Sequence, residues 1–338
     1  MLISSYTTSR NAIELNYPIR ESVKSLLGFS DEVIVFDTSG TTHTVDELTK
    51  CFKLEPKVKI VHEPWDWTVK NFGVLDGQSK AQARNLCKGH ILWQSDSDEI
   101  VHEQHQDLIR PLIENYKNWN SYSLIGLPVV EFWGSSGKAR VDVNPWKWRI
   151  SINDKKITHG IPGRYRSYDK DGLLFAKHGT DGCDYIYSDS LVPVPCDLSA
   201  MYYTDRVFGL QQAAITNEKA AHLYEGWFNI MLADTPGVFH YSWWSIERKI
   251  KHYREFWTKF WPSLYNESVD ERQNPFFPGM LWSEISDQQI KQKAIELEQG
   301  TGGWIFHKPW DGTKHCSIKQ VNMEHPKFIK DWIRTINA

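Results

Sequence analysis

The sequence has no CxxC pair, and its five cysteines (Cys51, Cys87, Cys183, Cys196 and Cys316) are odd in number and far apart. A disulfide framework uses an even, regularly spaced set, so reduced thiols and a cytoplasmic setting are expected. No apolar run approaches the roughly 20 residues that span a bilayer. The first residues, MLISSYTTSR, lack the basic start and apolar stretch of a secretory signal. These absences predict a soluble protein with no transmembrane segment. Lys and Arg number 39 against 42 Asp and Glu, for a net charge of −3, and the basic residues are scattered. A chain that grips phosphate backbones concentrates its positive charge, so a nucleic-acid partner is disfavoured. Internal repeats and low-complexity stretches are also missing.

What the chain has in abundance is aromatic side chains: 16 Trp, 14 Tyr and 15 Phe among 338 residues. An indole offers a flat apolar face with a polar edge, which suits a sugar ring, with its apolar CH faces and polar rim. Burial in the core is the ordinary alternative for each of them.

Hydrophobic patterning in the first hundred residues alternates between strand and helix periods. Leu2 to Tyr6, Glu32 to Asp37, Val58 to Val61 and Ile91 to Gln94 read as strands. Between them, Tyr17 to Leu27, Val45 to Phe52 and Ser79 to Cys87 read as helices, with Pro18 near a helix start and Gly28 as a stop. That alternation predicts an α/β fold, a mostly parallel central sheet flanked by helices. Further strands are expected at Leu124 to Phe132 and Trp146 to Ile150, and turns at Asp171-Gly172 and Asp181-Gly182. Helices are expected over Asp205 to Leu232, Ile246 to Phe260 and Asp287 to Gln299. The expected division is a main domain over 1–245, with a donor half (1–125) and an acceptor half (126–245), followed by a mainly helical extension over 246–338.

Open α/β sheets bind ligands beyond the carboxyl ends of their strands. Asp37 and Asp96 both fall there. Asp96-Ser97-Asp98-Glu99 sets carboxylates two residues apart at a strand end, where they can converge on a hard cation and a ribose hydroxyl. Mg²⁺ and Mn²⁺ prefer oxygen ligands, and such an ion stabilises charge on a departing diphosphate. An acidic turn or helix cap is the plainer alternative.

In order along the chain stand Val33-Ile34-Val35-Phe36-Asp37-Thr38-Ser39-Gly40-Thr41, then Ala83-Arg84-Asn85, then Asp96-Ser97-Asp98-Glu99. This ordered set, with Ser9-Arg10-Asn11 before it, resembles the GT-A glycosyltransferases of family 2 over about residues 1 to 105. Thr42-His43 stands where that family often has a second acidic residue. The resemblance implies the Rossmann-like GT-A fold and a nucleotide-sugar donor, with a UDP-sugar expected. It places Thr8, Arg10, Asp37, Arg84, Asp96, Ser97 and Asp98 at that donor. It also implies Mn²⁺ or Mg²⁺ on Asp96, Asp98 and His240; the last lies in Val238-Phe239-His240-Tyr241, which resembles the family's His-containing segment. A buried structural histidine is the alternative at His240.

Inverting transfer requires a general base for the acceptor hydroxyl. The family's usual Glu-Asp pair is not found, and the candidates are Asp181, Asp184 and Glu225, with Asp181 first. His159 is a candidate acceptor contact. His102-Glu103-Gln104-His105 is not the HExxH zinc motif, and reads as a polar helix start. Asn266-Glu267-Ser268 is a glycosylation sequon by pattern alone.

The resulting expectation is a metal-dependent, inverting glycosyltransferase that acts on an acceptor hydroxyl, with a glycan as acceptor. Two alternatives are a non-catalytic carbohydrate-binding protein on a degenerate transferase fold and a phage-type transferase acting on DNA bases. A nucleotidyltransferase would carry a glycine-rich phosphate loop near the N-terminus, and no glycine stands between Ser4 and Arg10.

Overall fold

A computed structural model of the chain describes residues 1–67, 72–135, 137–140, 146–159, 167–168, 174–175, 185–187, 194, 196–197, 237–264, 274, 276–299, 318–321 and 323–337. The first half alternates as the sequence pattern predicts. Strand β1 (Ile3–Ser9) leads to helix α1 (Ile19–Leu27), β2 (Glu32–Asp37), α2 (His43–Cys51), β3 (Val58–His62), α3 (Phe72–Asn85) and β4 (Ile91–Asp96). A short β5 (Glu99–Val101) and α4 (Glu103–Asn115) follow. Then come β6 (Leu124–Trp133), β7 (Lys138–Arg140), β8 (Trp146–Ile152) and β9 (Ile157–His159). Helix α3 begins well before the predicted Ser79; its first turns leave no sequence signal, since the run from Phe72 carries two glycines and has almost no apolar periodicity.

Strands β3, β2, β1 and β4 lie side by side and parallel. Beyond β4 the sheet turns antiparallel through β8, β6 and β7. Among the described residues the sheet has eleven strands. Residues on β2 show why its core is apolar on both sides. Val33 and Val35 face a core built with Val23 and Leu26 of α1 and Ile109 and Ile113 of α4. Ile34 and Phe36 face the opposite way, onto Ala83 and Cys87 at the end of α3. β1 is unusual for a central strand, since ISSYTTS is mostly hydroxyl-bearing yet almost wholly buried. Its hydroxyls are paired across the sheet, as in Tyr6 Oη with His159 Nε2 at 2.6 Å and Ser9 Oγ donating to Asp37 at 2.5 Å.

β10 (Ser167–Tyr168) and β11 (Leu174–Phe175) pair antiparallel, and the predicted turns at Asp171-Gly172 and Asp181-Gly182 lie outside the described residues. β12 (Tyr185–Tyr187) pairs with β9, and β13 (Cys196–Asp197) with β6. The helix expected over Asp205 to Leu232 lies outside the described residues. β14 (Val238–Trp243) runs between β5 and β6. It leads into α5 (Ile246–Leu264), α6 (Asp287–Gln299), β15 (Ile318–Gln320) and α7 (Lys330–Asn337). These last elements are fixed to the sheet. β15 pairs with β7, Trp332 of α7 joins the main core, and Trp133 Nε1 donates to Leu297 O of α6 at 3.1 Å. Cys51 and Cys87 are free thiols. No helix among the described residues is long and apolar enough to cross a membrane.

Candidate active site

Strand order places the cleft. From β1 the chain builds outward to β2 and β3, then crosses back to put β4 on the other side of β1. Such a reversal of strand order is a switch point, where ligand crevices form above the strand ends. Thr8 of β1 and Asp96 of β4 are register partners at its floor. The cleft is lined there by Thr8, Ser9, Arg10, Asp96, Ser97 and Asp98. Thr38 follows β2, and α3 contributes Asp76, Ser79 and Lys80; Tyr17, Trp65 and His252 complete the wall.

The floor is a dense charge network. Register aligns His240 of β14 with Glu99 on β5 and with Glu131 on β6. His240 Nδ1 lies 2.7 Å from Glu131 Oε2, and its Nε2 lies 3.1 Å from Asp98 Oδ1. Alternation along β8 sends Lys147 and Arg149 to one face of the sheet. Arg149 grips Glu99 with two bonds, Nε to Oε2 at 2.8 Å and Nη2 to Oε1 at 2.5 Å. It also donates to Gln94 Oε1, and reaches Asp96 Oδ2 at 3.2 Å. Lys80 Nζ lies 3.2 Å from Asp96 Oδ1.

Burial raises the affinity of these carboxyl groups for protons, and the neighbouring cations override it. Asp96 is held well below the usual carboxylate range, with Lys80, then Arg149 and Lys147, outweighing burial. Glu131 is brought down to about 2, burial being outweighed mainly by His240. For His240, burial acts downward, but the flanking carboxylates, Glu131 first, push it up to about 9. His252 on the cleft wall behaves oppositely. Burial and the nearby Lys249, Arg10 and Arg248 bring it down to about 3, so it is neutral.

The upper wall is aromatic and cationic. The Arg10 guanidinium stands 5.1 Å from the ring centres of both Trp65 and Trp67, a cation–π arrangement. Trp65 is fixed by its Nε1 donating to Ser79 Oγ at 2.7 Å.

Thr8, Arg10, Asp96, Ser97 and Asp98 thus share one cleft, and His240 joins them beneath the floor. Asp37 and Arg84 do not line it. Asp37 has no exposed surface. Its carboxylate accepts from Ser9 Oγ, Ser39 N and Ser39 Oγ, and lies 3.0 Å from His62 Nδ1. It organises the loop behind the cleft. Arg84 is buried, and donates to Ile157 O, Ser151 Oγ and Ile152 O. It clamps α3 to β8 and β9. His159 is likewise buried against Tyr6. His102 caps α4, its Nδ1 accepting from Gln104 N at 3.3 Å. Asp181, Asp184 and Glu225 lie outside the described residues.

Sequence reasoning gave no role to Lys80, Glu99, Glu131, Lys147 or Arg149. For the β8 pair a signal existed: Lys147-x-Arg149 inside a Trp-rich strand puts two cations on one face. For Glu131, inside a ten-residue buried strand, the signal was a charge where none is expected.

Comparison with known proteins adds little. No known family profile matches the chain, and no curated protein matches it. Among solved structures, the mannosyltransferase PcManGT from Pyrobaculum calidifontis, in complex with GDP-Man and Mn²⁺, is similar at 13% identity and a TM-score of 0.31, over 44% of this chain. The chain spans 44% of that protein's length. S. aureus TarS 1-349 is similar over 88% of this chain and 89% of its own, at 14% identity and a TM-score of 0.33. The 4-diphosphocytidyl-2C-methyl-D-erythritol synthase from Anaerococcus prevotii reaches 9% identity and 0.29 over 67% of this chain and 82% of its own. Likenesses this distant carry no functional argument, which rests on the cleft itself.

Proposed function

We propose that the chain transfers a glycosyl group from a nucleoside-diphosphate sugar to an acceptor hydroxyl. One observation carries the reading: a cleft at the β1/β4 switch point, floored by Asp96, Ser97 and Asp98 and walled by Lys80, Arg10 and Trp65. A nucleoside diphosphate has three parts, and the cleft offers a complement to each. The indole of Trp65 suits the flat base. Carboxylate oxygens at the strand ends accept from ribose hydroxyls. Lys80 and Arg10 attract the diphosphate. A UDP-sugar is the donor and a glycan the acceptor in this reading.

In the reaction, the acceptor oxygen bonds to the sugar's anomeric carbon as that carbon's bond to the diphosphate breaks. The acceptor proton passes to a carboxylate base, and inversion follows from attack opposite the leaving group. Asp181, Asp184 and Glu225 remain the candidates for that base. Fixed cations beside the departing diphosphate stabilise the charge it gains, with little reorganisation.

The chemistry of the donor set would suit Mn²⁺ or Mg²⁺. The set that converges is Asp96, Glu99 and His240, whose ligand atoms lie within 4.8 Å of one another, rather than the expected Asp96, Asp98 and His240. Asp98 instead bonds the His240 ring. The ammonium of Lys147 already touches all three members of the converging set, at 3.9, 3.2 and 3.2 Å. Mg²⁺ needs its oxygens at about 2.0–2.1 Å, and it cannot share that position with an ammonium. The residues as placed do not fit a divalent ion.

A panel of nucleoside diphosphates and their sugars, screened by thermal shift, tests the reading. At about a hundred times Kd a bound nucleotide adds roughly 2.7 kcal/mol of stability. Lys80→Met is expected to weaken nucleoside diphosphate binding at least about tenfold, or 1.4 kcal/mol. The unphosphorylated nucleoside should bind mutant and wild type alike. A panel in which no nucleotide raises the melting temperature rules the donor site out.

A further inference from the structure

We propose that Lys147 is the resident cation of this cleft, tethered by β8 in the position between Asp96, Glu99 and His240 that a divalent ion would take, and that the site binds a nucleoside diphosphate without metal. The inference rests on the donor reading above and deepens it by naming the group that neutralises the acidic floor. Lys147 Nζ lies 3.2 Å from Glu99 Oε1 and 3.9 Å from Asp96 Oδ2, its two counter-charges, and stands 3.2 Å from His240 Nδ1, which faces Glu131. Asp96, Glu99 and His240 are the three side chains whose ligand atoms converge.

The fold keeps the ammonium there. β8 pairs with β6 on one side and with β4 on the other, and Lys147 is the register partner of Leu127. Two residues on, Arg149 is fixed to Glu99 by its paired bonds, which holds the strand that carries Lys147 in register beside Glu99. The carboxylates left over are also served. Asp96 receives Lys80 on one oxygen and Arg149 on the other. An arriving divalent ion would have to expel a lysine from its carboxylates and then sit beside its charge. Tethered ammonium and guanidinium groups instead supply the positive field permanently, which is the preorganisation that diphosphate departure calls for.

Two measurements test this. In the first, equimolar Mn²⁺ is added to chelator-treated protein and free Mn²⁺ is followed by electron paramagnetic resonance. Wild type should leave the signal unchanged, and Lys147→Met, which vacates the position, should diminish it. In the second, UDP and GDP are titrated calorimetrically into metal-free protein with and without Mn²⁺. Wild-type affinity should agree within about twofold between the two conditions, and metal-free Lys147→Met should lose about tenfold or more. A wild type that captures Mn²⁺, with capture lost in Asp96→Asn, overturns the assignment, as does nucleotide binding that requires Mn²⁺. If Lys147→Met does not fold, the two wild-type results decide alone. If neither nucleotide binds under either condition the donor reading fails separately, and the resonance experiment still judges Lys147.

Discussion

Glu99 shows how much a single side chain can demand. Its side chain has no exposed surface, and both oxygens are taken, by Arg149 and Lys147 and by the Asp96 backbone N–H at 3.1 Å. A buried carboxylate stripped of its guanidinium keeps the cost of desolvation without the compensation. Arg149→Met is therefore expected to cost about 3–5 kcal/mol in urea unfolding. Arg149→Lys should recover only part of that, because an ammonium cannot reproduce the paired bonds of a planar guanidinium. Full stability in Arg149→Met would show that the bonds to Glu99 contribute nothing net. Asp37 makes the opposite point. It stands at the strand tip that the resemblance singles out, yet its oxygens are used up in ordering Ser9, Ser39 and His62.

At the scale of elements, β14 is the strand that completes the site. It threads between β5 and β6, delivers His240 into the row between Glu99 and Glu131, and ends by stacking Trp243 on Trp133 at 5.0 Å. The Trp pair belongs to a second core with Ile246 and Ile250 of α5 and Ile290 and Ala294 of α6. Trp133 also holds α6 through its indole N–H. Trp133→Ala is expected to cost about 3–5 kcal/mol. In hydrogen exchange it should release α6 before the parallel half of the sheet, whose core is separate. Uniform loosening of the whole chain would contradict that independence. α5 links this second core to the cleft by carrying His252 to its wall.

For the molecule as a whole, the charge network fixes how stability responds to pH. Glu131 has a lowered folded-state pKa, so its contribution is present above about pH 4.5 and is lost as pH falls toward about 2. The His240 pKa is raised, so its contribution is complete below about 6.5 and is lost as pH rises through about 9. The Glu131–His240 pair therefore contributes most between about pH 4.5 and 6.5. Neutral His252, lowered to about 3, costs stability as pH falls below about 6.5, so the melting temperature is expected to be highest near pH 6.5 and to decline on both sides. In His240→Gln the alkaline decline should flatten. An unchanged alkaline slope in that variant would place the titrating group elsewhere.

Much of the parallel half was legible in the chain, because β1 to β4 are short apolar or hydroxyl-rich runs, the first three separated by the amphipathic α1 and α2, and local periodicity is set by neighbours in sequence. Asp96-Ser97-Asp98 was legible as a strand-end cluster for the same reason. Which carboxylates face the cleft was not. Arg84 reaches Ser151 across 67 residues, Arg149 reaches Glu99 across 50, and His240 reaches Asp98 across 142. Strand order and register set those distances, and no local signal encodes them. The sequence by itself determined an alternating α/β chain with an acidic strand tip. Only the packing of β8 and β14 beside that tip decided that lysine, arginine and histidine surround the acids, because charges that meet across a sheet are neighbours in space alone.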